Sequence, residues 1–334
     1  MKIYEIGSGE GLDALKTAQR DTPKPGPGEI LVKMKASSVN FRDLLMIKNA
    51  SVIGIAEGRI PNSDGAGIVE EIGEGVTSFK AGDRVVGCFF QNWEDGPIGN
   101  TVMQTALGGP IDGVLAEYVI LKENGALPVP EGLSFEEAAT LPCAAVTAWN
   151  CLIEKGGARA GNTALILGTG GVSVFSQQIA AVSGIRTIAT SSSNEKLDRI
   201  KALGANDLIN YRENPDWEKQ VLDLTDGHGV DVVIEVGGAG TLPKSIESVR
   251  VGGTVSLVGV LTGGQIDPTS IMRKSVKLQG IYVGPRAMFR KLLQAVDTQD
   301  IKPVIEQTVP FDDALEAYRL MESGAHFGKI VITF

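Results

Sequence analysis

Two rhythms of apolar and polar residues divide the chain. In the first, residues 29–36 (Glu-Ile-Leu-Val-Lys-Met-Lys-Ala) alternate with a period of two, as a half-buried strand does. Residues 65–73 predict a second strand, closed by the turn Gly73-Glu74-Gly75. Residues 81–87 read as a turn and a third strand, and 114–121 as a fourth. Short strands separated by Gly and Pro predict a compact, barrel-like β domain over residues 1–140.

The second rhythm begins near residue 133. Ser134, followed by Glu136 and Glu137, is a helix N-cap signal. Apolar strands are then expected at 163–167, 186–190, 207–209, 232–235, 254–258 and 277–283. Helical patterns at 195–203 and 216–224 lie between them. Such alternation builds a parallel sheet with helices on both faces, here over 141–285. A helical pattern at 287–296 and an apolar strand at 329–334 are assigned back to the first domain, as 286–334. The expected fold class is α/β, a doubly wound parallel sheet beside a β-rich domain.

Composition narrows the function. The net charge is -9, and such a surface repels phosphate backbones, so neither nucleic acid nor an anionic membrane is an expected partner. Cys88, Cys143 and Cys151 are too few for a disulfide framework and match no metal-ligand spacing. His228 and His326 have no ligand-spaced partners. The start carries no signal-peptide pattern and no stretch is apolar enough to span a membrane, so the expected compartment is the cytoplasm.

The strand 163–167 runs into Gly168-Thr169-Gly170-Gly171-Val172-Ser173, and a helical stretch follows. In a dinucleotide fold the first glycine makes the turn. The second lets backbone approach the pyrophosphate, which sits on the helix N-terminus. Ser173 stands at the usual third glycine. The cofactor-binding candidates here are therefore Gly168, Gly170, Gly171 and Val172. An NAD enzyme places an acid about 20 residues further on, to hold the ribose hydroxyls. This chain has Ser191, with Lys196 at the start of the next helix and Tyr211 after the third strand. Hydroxyls and a cation accept a 2′-phosphate that a carboxylate would repel, so the expected cofactor is NADP(H). The alternative for Lys196 is a solvated helix-face lysine.

Taken together these segments resemble the medium-chain dehydrogenase/reductase superfamily. The resemblance rests on Ser38-Val39-Asn40-Phe41-Arg42-Asp43, on 65–69 and 81–85, and on Leu141-Pro142 with Thr147-Ala148. Gly168 to Val172, Leu203-Gly204-Ala205 and Val258-Gly259-Val260 complete it. It implies a Rossmann domain plus a GroES-like catalytic domain. It implies that Thr147, Val258, Gly259 and Val260 lie beside the cofactor, and Lys329 near its pyrophosphate; otherwise Lys329 is a plain surface lysine. Relatives pair the last strand of the nucleotide sheet, here the apolar 277–283, across a two-fold axis, which implies a homodimer.

The chain departs from the zinc alcohol dehydrogenases of that superfamily. They have a cysteine where this chain has Asn40, and a His-Glu pair where it has Ser63-Asp64; only Cys143 falls at a ligand position. One thiol cannot hold a tetrahedral zinc. The pattern Asn40-x-x-Asp43 resembles the zinc-free quinone and enoyl reductases, including the zeta-crystallin type. There an activated acceptor takes hydride from NADPH, and a hydrogen-bond donor is enough to steady the oxyanion. Asn40 is the candidate donor, with the Thr147 hydroxyl second; otherwise Asn40 is a turn-stabilising amide. Leu45 stands where some relatives have an active-site tyrosine. Phe90 and Trp93, after the third strand, are substrate-lining candidates or loop anchors. The expected activity is zinc-independent reduction of a small molecule, a quinone or an α,β-unsaturated carbonyl compound. A zinc-free alcohol or aldehyde dehydrogenase and a non-enzymatic NADPH-binding protein are the competing readings.

Overall fold

The computed structural model describes residues 1–9, 11–259 and 261–334, which fold as two compact units. Unit one is Met1–Ala144 with Pro285–Phe334, and unit two is Ala145–Gly284. Among the described residues no helix is long and apolar enough to cross a membrane.

Unit one opens with a hairpin of β1 (Lys2–Ile6) and β2 (Leu15–Gln19). Its main sheet has β3 (Glu29–Val39), β4 (Asp64–Ile72), β5 (Arg84–Gly87), β6 (Tyr118–Lys122) and β7 (Ala126–Pro128). The chain returns to add β14 (Ile305–Pro310) and β15 (Lys329–Thr333). The order is β14-β15-β3-β4-β5-β7, with β6 also on β3. The long β3 sits at the centre because its residues Ile30, Val32, Met34 and Val39 are buried in one core with Val85, Leu121, Ile330 and Ile332. The fourth predicted strand is shorter than its apolar run. Residues Val114 and Leu115 bond instead to Asn62 O and Pro61 O, and Tyr4 N–H takes the Leu115 carbonyl. That buries the start of the run without a ladder, and only its later part pairs with β3.

Unit two is a six-stranded parallel sheet: β8 (Thr163–Leu167), β9 (Arg186–Ser191), β10 (Asp207–Asn210), β11 (Val230–Glu235), β12 (Val249–Leu257) and β13 (Lys277–Gly280). The order β10-β9-β8-β11-β12-β13 is that of the doubly wound dinucleotide fold, and the direction of winding reverses between β8 and β11. Leu165, Ile188, Val233 and Val255 fill its core. Helices Gly171–Val182, Asn194–Ala202, Trp217–Asp223 and Leu242–Ser248 connect the strands. The last strand ends earlier than its apolar run to Val283. Val283 has φ 55°, and Asn150 Nδ2 donates to its carbonyl, so the chain leaves the sheet edge there.

Candidate active site

Strand register brings three polar residues of unit one together. β3 and β15 are antiparallel with Val39 opposite Ile330, so Asn40 and Lys329 leave the sheet side by side. β3 and β4 pair Ser38 with Asp64, which sets Asp64 at the same end. Lys329 is 2% exposed, and its ammonium donates to Val39 O (3.0 Å) and to Asn40 Oδ1 (2.5 Å). Asp64 is fully buried; its Oδ1 accepts from Ser63 Oγ (2.7 Å) and its Oδ2 from Cys143 N–H (3.0 Å). Asp43 is buried beside them and accepts from Asn40 N–H (2.8 Å) and Arg42 Nη1 (3.0 Å). Arg42 is tethered in turn to Leu107 O at 2.9 Å. Beneath this, Tyr318 donates to Asn62, Asn62 Nδ2 to Ser37 Oγ (2.9 Å), and Ser37 Oγ to Asp64 O (3.0 Å).

Asn40 is 7% exposed, and its Nδ2 makes no hydrogen bond among the described residues, although the amide lies near enough to Asp64 to favour its carboxylate. A buried donor left unsatisfied costs about 1–3 kcal/mol, so such an atom calls for an explanation. Burial raises the Asp64 carboxyl from 3.8 to about 6. The Lys329 ammonium opposes the rise, the Asp43 charge adds to it, and the Ser63 hydroxyl and Asn40 amide oppose it again. Burial lowers the pKa of Lys329, against the pull of Asp64, Cys143 and Asp43. Burial, with Asp64 adding to it, pushes the Cys143 thiol far up.

This donor set does not suit a tetrahedral zinc. A protein ammonium already lies against the amide and acts on the carboxylate. Among the described residues no three of His, Cys, Asp and Glu gather as metal ligands.

In unit two, β8 is followed by Gly168, whose φ of 72° is a conformation that glycine adopts without strain. Gly170 is the N-cap of helix Gly171–Val182, and a Cβ added at Gly170 would meet nothing within 4 Å. Open space over a helix N-terminus fits a pyrophosphate, since the first N–H groups lack helix partners. Ser173 replaces the third glycine without loss of packing, because its Oγ bonds Leu167 O at 2.7 Å.

At the end of β9, Ser191 is buried and its Oγ accepts from Ser193 N–H (3.3 Å). Ser193 caps the next helix by accepting from Lys196 N–H (3.3 Å). Tyr211 N–H donates to Ser191 O (3.1 Å) while the tyrosine side chain is 41% exposed. The three predicted residues thus share one corner. Glu213 joins it, accepting from Asn194 Nδ2 (2.8 Å) and Asn210 Nδ2 (3.0 Å). That acid was not expected.

Thr147 is buried in helix Val146–Trp149. Val258 and Gly259 donate their N–H groups to Glu235 O (2.9 and 3.3 Å), and a Cβ at Gly259 would lie 2.1 Å from Val236 O. Glycine is therefore required there by close backbone approach. Val260 lies outside the described residues. Phe90 and Trp93 are buried in edge-on contact at 5.5 Å, and the Trp93 indole donates to Gly96 O (3.0 Å), an arrangement that anchors the loop. Lys329 is no surface lysine, and its bonds run to Val39 and Asn40.

Two more residues escaped the sequence reading. Asp64 was seen only as a missing ligand. Glu235, buried at the end of β11, accepts from Gly237 N–H (2.6 Å), Gly238 N–H (3.1 Å) and Thr241 Oγ1 (2.6 Å), and from Ser245. An acid at the boundary of each apolar run was the signal, Asp64 at the start of β4 and Glu235 at the end of β11.

Comparison with known proteins agrees with this architecture. Residues 26–131 match the alcohol dehydrogenase GroES-like domain and residues 171–298 the zinc-binding dehydrogenase family. A zinc-type alcohol dehydrogenase-like protein of Schizosaccharomyces pombe is 43% identical over 331 residues, 96% of each chain. A quinone oxidoreductase of Rattus norvegicus is 29% identical, covering 99% of this chain and 96% of its own. A solved NAD-dependent alcohol dehydrogenase superposes with a TM-score of 0.91 at 33% identity, with both chains covered in full. The fold and its glycine loop are those of a nicotinamide-dependent oxidoreductase. The chain belongs to the medium-chain dehydrogenase/reductase superfamily.

Proposed function

We propose that the protein is an NADPH-dependent, zinc-independent reductase of quinones or α,β-unsaturated carbonyl compounds. The observation that carries this reading is Asn40 Nδ2, a buried donor in no hydrogen bond among the described residues, on an amide whose oxygen faces a buried ammonium. The bound cofactor supplies a hydride to the acceptor carbon. Gly168 to Val172 would hold its pyrophosphate, Ser191, Lys196 and Tyr211 its 2′-phosphate, and Thr147, Val258 and Gly259 its other end. Negative charge develops on the acceptor oxygen, where Asn40 Nδ2 donates. Conjugation spreads that charge, so a hydrogen bond serves where an isolated carbonyl would need a Lewis acid. The final proton comes from water. Phe90 and Trp93 support the substrate side of unit one by anchoring their loop.

Relatives named for alcohols favour an alcohol dehydrogenase as the second reading, zinc-free here only by the residues at its ligand positions. NADPH oxidation across quinones, enones, enoyl thioesters and aldehydes separates the two. The first reading expects turnover on quinones or enones; turnover on aldehydes alone overturns it.

Activity is expected to survive chelation. Metal analysis of active protein should find zinc well below one per chain, and loss of activity on chelation with recovery on added zinc would count against this. NADPH is expected to be preferred over NADH, and Ser191→Asp should reverse the preference by setting a carboxylate against the 2′-phosphate. Equal affinity of the wild type for both cofactors, measured by fluorescence titration, would sink that assignment. The edge strand β13 is short and its backbone pairs on one side only. A homodimer through this edge is expected, read as a dimer mass by light scattering at micromolar concentration.

A further inference from the structure

Asn40 presents a question of orientation. A carboxamide has a donor end and an acceptor end, and its neighbours decide which faces where. An ammonium has three donors and no acceptor, so only the amide oxygen can face Lys329 Nζ. The Lys329–Asn40 bond of 2.5 Å therefore fixes the flip. It leaves Nδ2 as the other end, buried near the Asp64 carboxylate whose charged form it favours, and in no hydrogen bond of its own among the described residues. Lys329 cannot turn away, because Val39 O holds the same ammonium at 3.0 Å and the side chain is buried. A cation on the oxygen also draws electron density from the amide and strengthens Nδ2 as a donor.

We propose that Lys329 is a positioning residue: its ammonium locks the Asn40 carboxamide with Nδ2 presented as the donor to the substrate oxygen. This rests on the reductase reading above. Asp64 completes the arrangement as the buried counter-charge. Its two oxygens are held by Ser63 and Cys143, and Lys329 is the strongest charge acting in its favour. Positive charge at the amide oxygen is thus supplied by the chain itself, at an end of the sheet where zinc-dependent members of the superfamily hold a metal.

The test separates orientation from stability. Lys329→Met should lower kcat on a quinone or enone roughly 10- to 100-fold, the loss expected for a buried hydrogen bond to a charged group, with NADPH affinity unchanged. The double variant K329M/D64N should regain wild-type melting behaviour without regaining kcat. Lys329→Gln, which keeps a donor, should lie between Met and wild type. In an Asn40→Ala background, Lys329→Met should add less than about a further twofold, since the two substitutions remove one function. Independent multiplication of the two losses, or recovery of kcat in K329M/D64N, would overturn the proposal.

A second readout does not depend on turnover. In protein labelled with 15N-asparagine, the Asn40 side-chain signal, identified by its loss in Asn40→Asp, should move on Lys329→Met. In the wild type with NADP⁺ it should move again on adding 2-cyclohexen-1-one. An Asn40 signal indifferent to Lys329→Met refutes positioning even if the wild type reduces every quinone. A wild type with no quinone or enone turnover, but with both movements of that signal, refutes the reaction reading and leaves the positioning intact.

Discussion

Lys329→Met is expected to destabilise the fold by about 3 kcal/mol at pH 8, the scale for removing one partner from a buried charge arrangement. The variant deletes the hydrogen bonds to Val39 O and Asn40 Oδ1 and the strongest charge that favours the Asp64 carboxylate. The pH dependence gives the prediction its shape. Asp64 titrates at about 6 when folded and near 3.8 ordinarily. Its contribution to stability is therefore full below the ordinary value and is lost as the pH rises through about 6. Without Lys329 the folded value climbs further, so more is lost at high pH. The deficit relative to wild type should shrink as the pH falls from about 8 toward 5, where Asp64 is protonated in both proteins. Urea unfolding followed by near-ultraviolet circular dichroism at several pH values measures it. A deficit that is independent of pH would mean that Lys329 acts through packing alone. Asp64→Asn in the Lys329→Met background should flatten the dependence.

The glycine loop and the strand–helix alternation of unit two were legible because each depends on local pattern. An apolar strand, a Gly at φ 72° and a helix start are consecutive in the chain. Strand ends were less so. The runs at 114–121 and 277–283 are apolar throughout, but pairing covers only part of each. Burial against a loop or a turn satisfies an apolar run as well as a ladder does, and periodicity cannot tell them apart. The active-site cluster was least legible, because it is made by register. Asn40, Asp64 and Lys329 are far apart in sequence, and meet only because β3 pairs with β4 on one side and with β15 on the other. Lys329 precedes Ile330-Val331-Ile332 and Asp64 precedes Gly65-Ala66-Gly67. A charge at the mouth of an apolar strand was visible, but its partner was not.

Asn40→Ala is expected to lower kcat on quinones or enones by about 10²–10³-fold, or roughly 3–4 kcal/mol, the usual effect of losing one oxyanion donor. NADPH affinity should hardly change, because the donor acts on the substrate oxygen and not on the cofactor. KM should move less than kcat, since the donor matters most where charge has developed on the substrate oxygen. Alanine also removes the acceptor for Lys329 and any support of helix Phe41–Lys48, so Asn40→Asp is the sharper variant. Aspartate keeps the shape and an oxygen for the ammonium but has no N–H to give. If donation to the substrate is the function, Asn40→Asp should be as slow as Asn40→Ala. If Asn40 only steadies the turn into the helix, Asn40→Asp should keep near wild-type turnover. Single-turnover NADPH oxidation at saturating acceptor decides between these, because it reads the hydride step apart from product release.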